Sequence, residues 1–341
     1  MRRKQFFVAA GQWSVSTVLI FSAFASSLAV ADNPVDLALA ESRRKAVFII
    51  VDGVPADVLE RVPTPNLDLI SNAGGYSRAF VGGVVGTDTE SPTVSAVGYQ
   101  SLLTGTWANK HNVWDNEVRH PDYRYWDIFR IAKAFDQKLQ TAVFSTWEYN
   151  RTRLLGDTLQ AAGGRKLDHY VDGMEYDLAR FPHDPGSLYI RAIDEFVATS
   201  AAEYISEKGP DLSWVYFQYT DDIGHFFGDS RQQDEALQLT DAWVGEIWKV
   251  IQQRQKMLAE DWLIIVTTDH GRSRQTGKDH GGHSQRERTT WISTNSGHLN
   301  GRFSQTPGIV DILPSIVNHL DLQLPELIRL QLDGQAFIDR F

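Results

Sequence analysis

Four short runs of apolar residues punctuate the 341-residue chain: Ala46 to Val51 (AVFIIV), Thr141 to Ser145 (TAVFS), Trp214 to Gln218 (WVYFQ) and Trp262 to Val266 (WLIIV). Near-continuous apolarity over so few residues predicts strands buried on both faces. Between the runs the spacing changes to three and four. Residues 234–252 set Leu239, Trp243, Ile247 and Val250/Ile251 on one side with Asp, Glu and Lys opposite, which predicts an amphipathic helix. A shorter helix is predicted from Pro65 to Ala73, with Thr64 as its N-cap, Pro at the first helical position and Gly74-Gly75 as its end. Strands alternating with helices predict an α/β fold, a mainly parallel central sheet with helices on both faces. The segment from Asp115 to Gly186 is less regular and rich in Tyr, Arg, Asp and Gly, so a cap or long loops over a site are expected within 115–186. No internal repeat interrupts the pattern, and one domain is expected over 32–341.

The N-terminus follows different rules. It opens MRRKQ and then carries no charged side chain from Phe6 to Ala31, ending in Ala29-Val30-Ala31 before Asp32. A basic start, an apolar middle and a small-residue end predict a secretory signal peptide over 1–31, hence an exported, periplasmic or secreted protein with no stable membrane association after cleavage. The Ser- and Ala-rich second half argues against the alternative, an uncleaved anchor. Removing 1–31 takes away three basic and no acidic residues, leaving 30 basic against 43 acidic ones. That balance gives no field for a nucleic acid duplex. The absence of cysteine excludes disulfides, thiol nucleophiles and thiolate ligands, so any metal must be held by carboxylate and imidazole.

Three predicted strands stop at such groups: Asp52, Asp221-Asp222 and Asp269-His270. In parallel sheets ligands gather at the carboxyl ends of strands. Alone, Asp52 reads as the first residue of an Asp-Gly turn. In DDIGHFFGD, Asp221 and His225 are four apart, which offers an oxygen and a nitrogen from one helical face. In TDHGRSRQTGKDHGGHSQ, Asp269-His270 follow the strand, and His280 and His283 lie in a Gly-rich loop. Together these carboxylates and imidazoles predict a metal centre of two divalent ions, zinc foremost. Two ions roughly 4 Å apart suit in-line displacement at phosphorus. A nucleophile is then expected among the hydroxyls of SPTVSAVGYQSLLTG, where Ser91, Thr93, Ser95, Ser101 and Thr104 all remain candidates.

These motifs resemble the alkaline phosphatase superfamily, and within it the nucleotide pyrophosphatase/phosphodiesterase branch. The similarity runs from Val47 to about Leu322. IIVDG followed by TPNLDLI matches the opening motif, DDIGHFFG matches D-x-x-G-H-x-x-G at every fixed position, TTDHG matches the strand-end D-H-G, and IVDILPSIVNHLDL is similar to the closing helix. The spacing of YQSLLTG, with Gly105 ten residues after the nucleophile of the family motif, selects Ser95, and HNVWDN puts Asn116 where the family has a phosphate-binding Asn. The resemblance implies an alkaline phosphatase-like fold, one metal among Asp52, Ser95, Asp269 and His270, and a second among Asp221, His225 and His280. His280 is preferred to His283 because a Gly follows it upstream of the Thr-Thr-Trp-Ile strand.

The implied chemistry is hydrolysis of a phosphate ester or nucleotide through a phosphoserine at Ser95. A metal lowers the Ser95 pKa so that no histidine base is needed, and Ala96 N–H and the Asn116 amide bind phosphate oxygens. Two departures stand out: Ser replaces the branch's usual Thr, and Val97-Gly98-Tyr99 replaces Pro-Asn-His. The alternatives are a phosphomonoesterase, which needs extra cations, and a non-catalytic nucleotide-binding protein. Arg151, Arg153, Arg165 and Lys166 are candidate cations but are expected on the solvated surface. Trp107, Trp114, Tyr123, Tyr125, Trp126 and Trp147 are candidates to stack on a flat substrate group, with burial in the core as the commoner role.

Overall fold

The computed structural model describes residues 43–340, and the expected signal segment 1–31 lies outside them. A seven-stranded sheet organises the described residues. Its strands are β1 (Arg43–Val51), β2 (Gly75–Phe80), β3 (Thr141–Ser145), β4 (His169–Val171), β5 (Leu212–Phe217), β6 (Glu260–Thr267) and β7 (Thr289–Thr294). They lie in the order β2-β7-β6-β1-β5-β3-β4. β1 pairs parallel with both β5 and β6, and β3 pairs parallel with both β5 and β4. β7 pairs antiparallel with both β2 and β6.

Alternation along β1 builds two cores. Ala46, Phe48 and Ile50 face one side, with Trp214 and Ile265 of the flanking strands and with Ala96, Leu102, Leu103, Leu313 and Ile316 from helices Ser95–Thr104 and Ile312–His319. Val47, Ile49 and Val51 face the other, with Val197 and Ala201 of helix Leu188–Lys208 and Leu237, Val244 and Ile247 of helix Arg231–Met257. Each buried Val, Leu, Ile or Phe among them contributes about 1.5–3 kcal/mol, so both faces must stay covered. This is why the runs are continuously apolar rather than alternating.

The predicted elements shift at their ends. The amphipathic helix extends beyond 234–252 to Arg231–Met257, because the Ser230 side chain accepts from Gln233 N–H at 3.2 Å and caps it three residues earlier. Helix Pro65–Ala73 forms as expected, but Thr64 makes no side-chain cap. The irregular segment 115–186 contributes helix Ile128–Phe135, β3 and β4, besides loops that reach the sheet's carboxyl edge.

Candidate active site

The central strands β5, β1 and β6 are adjacent, so their carboxyl ends deliver three acidic groups to one place. Asp52 follows β1 directly. Asp221 sits in the first turn of helix Tyr219–Phe227, which follows β5, and Asp269 comes just after β6. The buried helix Ser95–Thr104 brings Ser95 at its first residue, and Gly105 ends it in the left-handed conformation, φ 63°.

Four donors converge on one point. His270 Nε2 lies 3.1 Å from Ser95 Oγ, 3.2 Å from Asp269 Oδ2 and 3.5 Å from Asp52 Oδ1. Ligands placed tetrahedrally about 2.1 Å from an ion stand about 3.4 Å apart, so these separations suit a metal. Asp52 Oδ1 and Asp269 Oδ2 are buried with no hydrogen-bond partner, which is costly unless a cation faces them. The other Asp52 oxygen accepts from the hydroxyls of Tyr99 and, at 2.6 Å, Tyr216. Asp269 Oδ1 accepts from Gly53 N–H at 3.0 Å. Each carboxylate is thus held by one oxygen and presents the other.

A second group lies alongside. His225 Nε2 is 3.2 Å from Asp221 Oδ2 and 3.1 Å from His280 Nε2. His280 also stacks on His270, ring centroids 3.7 Å apart. His270 Nδ1 faces Gly271 O and His280 Nδ1 faces Thr93 O, both at 2.9 Å. Donation to those carbonyls leaves both Nε2 atoms with a lone pair toward the cluster, the tautomer a ligand needs. The second DHG therefore sends only its histidine inward, since the Asp279 carboxylate accepts from Thr276 within the loop. His283 is half-exposed beside Glu90, Nδ1 to Oε1 3.2 Å, away from the cluster.

Burial, and then the neighbouring carboxylates Asp269 and Asp221, raise the Asp52 pKa well above its ordinary value. Burial is also the main cause that pushes Asp269 up to about 7. Burial and the nearby His280 hold His270 far below the usual imidazole range, and burial lowers His280. Burial would raise Asp221 too, but the Arg272 guanidinium and the surrounding imidazoles outweigh it and hold this carboxyl below its ordinary value. Neutral His270 and His280 beside crowded carboxylates leave the Asp52/Asp269 group short of positive charge, whereas the hydrogen bond to Asp221 raises the His225 pKa.

The cleft over Ser95, about 260 Å³, is lined by Asp52, Ser95, Tyr99, Asn116, Trp147, Tyr149, Tyr216, Gln218 and Asp221. Of the five candidate hydroxyls, only Ser95 reaches it. Ser101 and Thr104 bond back to Val97 O and Gln100 O inside their helix, Thr93 to Gly282 O, and Ser91 is buried without a partner. Of the six candidate aromatics, Trp147 alone lines the cleft, joined by Tyr149 at a ring-centroid distance of 5.3 Å.

Three expectations change in detail. Ala96 N–H and Asn116 are not two independent donors, because Ala96 N–H donates to Asn116 Oδ1 at 2.9 Å and thereby leaves the Asn116 NH₂ for a ligand. His270 Nε2 does lie beside Ser95, although the same nitrogen faces both carboxylates. Lys166 and Arg151 are not solvated: Lys166 is buried on Asp127 at 2.6 Å, and Arg151 pairs with Asp172 at 2.6 Å. Tyr99, Tyr216 and Arg272 had no signal in the sequence, since each meets its carboxylate only through the packing of distant elements.

A family model described as type I phosphodiesterase / nucleotide pyrophosphatase matches residues 46–315. Human ectonucleotide pyrophosphatase/phosphodiesterase family member 5 is 22% identical over 236 residues, 68% of this chain and 46% of its own length. Venom phosphodiesterase of Naja atra is 22% identical over 232 residues, covering 66% of this chain and 26% of its own. The chain thus spans less than half the length of these curated relatives. Among solved structures, murine ectonucleotide pyrophosphatase/phosphodiesterase 5, as an inactive variant in complex with AMP, has a TM-score of 0.56 at 15% identity, covering 84% of this chain and 99% of that one. A phosphonate monoester hydrolase of Agrobacterium radiobacter has a TM-score of 0.54 at 14% identity, with 86% and 76% covered. These two likenesses show the fold, and the family model reaches from β1 into helix Ile312–His319, taking in every group of the site. The chain belongs to the type I phosphodiesterase / nucleotide pyrophosphatase family.

Proposed function

We propose that this protein is an exported hydrolase of phosphodiester or phosphoanhydride bonds, with Ser95 as its nucleophile and a nucleotide-like ester as its substrate. The observation that carries the reading is the pair of orphaned carboxylate oxygens, Asp52 Oδ1 and Asp269 Oδ2, grouped with His270 Nε2 beside the Ser95 hydroxyl. Asp52, Ser95, Asp269 and His270 would hold one divalent ion and Asp221, His225 and His280 another, zinc suiting this mixture of donors, and such ions supply Lewis-acid stabilisation of negative charge.

The chain's own groups do the rest. Ser95 Oγ gives up its proton to solvent and attacks phosphorus as the bond to the leaving oxygen breaks; that oxygen takes a proton from solvent, and water then attacks the phosphoserine, releasing the phosphate product and returning a proton to Oγ. Ser95 stands at the N-terminus of helix Ser95–Thr104, where the positive end of the helix dipole favours a phosphate. The Asn116 NH₂, oriented by the bond from Ala96 N–H, donates to a phosphate oxygen. Loops within 115–186 bring Asn116, Trp147 and Tyr149 over the cleft and act as its cap.

Diesters are favoured over monoesters by the cleft lining, which includes no Lys or Arg. A monoester brings a second negative charge that such walls leave uncompensated. The test compares a nitrophenyl phosphodiester with the matching monoester, before and after chelation. The diester should be preferred in kcat/KM by about 100-fold, about 2.7 kcal/mol, and chelation should abolish turnover until zinc is restored. Monoester preference would overturn the diester assignment, and chelator-resistant turnover would overturn the metal centre.

The aromatic wall makes a separate prediction. Stacking on a base is worth about 1–3 kcal/mol. Trp147→Ala should therefore raise KM for a nucleoside phosphodiester about 10-fold while leaving KM for a small alkyl diester nearly unchanged, as steady-state kinetics on the two substrates would show.

A further inference from the structure

Arg272, two residues after His270, is buried, and its guanidinium bonds to Asp221, to the Gly53 carbonyl beside Asp52 and to the Lys278 carbonyl of the loop that carries His280. Its Nη2 pairs with Asp221 Oδ1 and also donates to Asp221 O at 2.7 Å. Its Nε donates to Gly53 O at 2.9 Å and its Nη1 to Lys278 O at 2.6 Å. The slot is made by two glycines. A side chain at Gly53 would collide with Asp221 Oδ1 and Arg272, and one at Gly224 would collide with the guanidinium itself. Gly53 also needs its left-handed φ of 64°. Both glycines belong to the motifs that carry Asp52 and His225.

The consequence is a difference in charge between two otherwise similar groups. Asp52, Asp269 and His270 combine two carboxylates with one neutral imidazole, and their orphaned oxygens have no cation. Asp221, His225 and His280 have one carboxylate, and Arg272 already neutralises it. Asp221 has also divided its oxygens, Oδ1 to Arg272 and Oδ2 to His225, so it can offer only one to an ion.

We infer that Arg272 is a built-in cation that makes the Asp221/His225/His280 group the weaker of two divalent-ion sites, filled second and exchanged readily. This rests on the two-ion reading above. It assigns the arginine a positioning and electrostatic role rather than contact with substrate. A fixed positive charge beside Asp221 repels an incoming divalent ion whatever its identity, whereas a purely mechanical strut would hold Asp221 in place and strengthen the site.

The test strips the purified protein with chelator, titrates it with zinc by calorimetry, and counts ions per chain by mass spectrometry after desalting. Wild type should bind two ions with dissociation constants at least about 10-fold apart and retain only one through desalting. Arg272→Met should bring the weaker constant close to the stronger and retain two ions, whereas Arg272→Lys, which keeps the charge and loses the fork, should preserve the separation. Two equivalent sites in wild type, or Arg272→Met and Arg272→Lys both weakening the second site, would overturn the inference. Should Arg272→Met fail to fold, Arg272→Gln, which also removes the charge, takes its place and is read by the same two outcomes. Failure to bind any divalent ion would instead overturn the two-ion reading itself.

Discussion

Ser95→Ala is expected to lower phosphodiester turnover by about 10,000-fold or more while leaving the fold and most of the bound metal in place. The size of the effect follows from position, since Ser95 is the only one of the five candidate hydroxyls that lines the cleft, and its Oγ lies 3.1 Å from the nitrogen that gathers the carboxylates. The variant should fold, because alanine is the better helix former and the Ser95 side chain caps nothing in helix Ser95–Thr104. Asp52, Asp269 and His270 still offer three donors to one ion. Turnover, ion content and melting temperature measured on one preparation separate these consequences. Retention of more than a tenth of wild-type turnover, with metal still bound, would remove Ser95 as nucleophile and with it the phosphoserine.

Much of this arrangement was legible in the chain because it is built from local rules. A strand buried on both faces must be apolar throughout, so β1, β3, β5 and β6 announce themselves, and a carboxylate at the end of such a strand marks the sheet's functional edge. β2 and β4 gave no such signal because they are the two edge strands. GYSRAF and HYV need to cover only one flank, and their burial is partial. Helix Ser95–Thr104 was not legible as an element: Ser95 is singled out only by the resemblance of its spacing to Gly105, the residue that ends this helix in the left-handed conformation.

What could not be read were the residues that hold the clustered carboxylates in place. Tyr99 reaches Asp52 from a helix 47 positions later, and Tyr216 from a strand 164 positions later. No periodicity links such residues, and a tyrosine in an apolar run reads as core, which in most respects it is. The replacement of Pro-Asn-His by Val97-Gly98-Tyr99 takes on meaning in the same way. Gly98 lies so close to the Asp269 backbone that a β-carbon there would crowd it, and Tyr99 supplies a hydroxyl to Asp52. The departure lies against Asp52 and Asp269, not on a remote surface.

The second large effect is expected at Asp269, where function and stability should move in opposite directions. The residue is fully buried, its Oδ1 accepts from Gly53 N–H at 3.0 Å, and its Oδ2 has no partner. With burial foremost and the nearby Asp221 adding to it, its pKa rises to about 7. A folded-state pKa above the unfolded value of about 3.9 means that the folded chain holds the proton more tightly. The resulting stability is therefore complete at low pH, is lost as pH rises from about 4 through about 7, and is absent above that. Asp269→Asn keeps the Oδ1 acceptor and removes the charge. At pH 8 the metal-free variant should be more stable than metal-free wild type by about 1–3 kcal/mol, or several degrees in Tm. With zinc the order should reverse, because loss of a ligand weakens ion binding by about 100-fold or more and forfeits the stabilisation that a bound ion gives the native state. Turnover should fall with the ion. Differential scanning calorimetry of both proteins, with chelator and with zinc, checks the crossing directly. If Asp269→Asn lowers Tm in both conditions by the same amount, Asp269 is a structural acceptor for Gly53 and the metal centre must be sought without it.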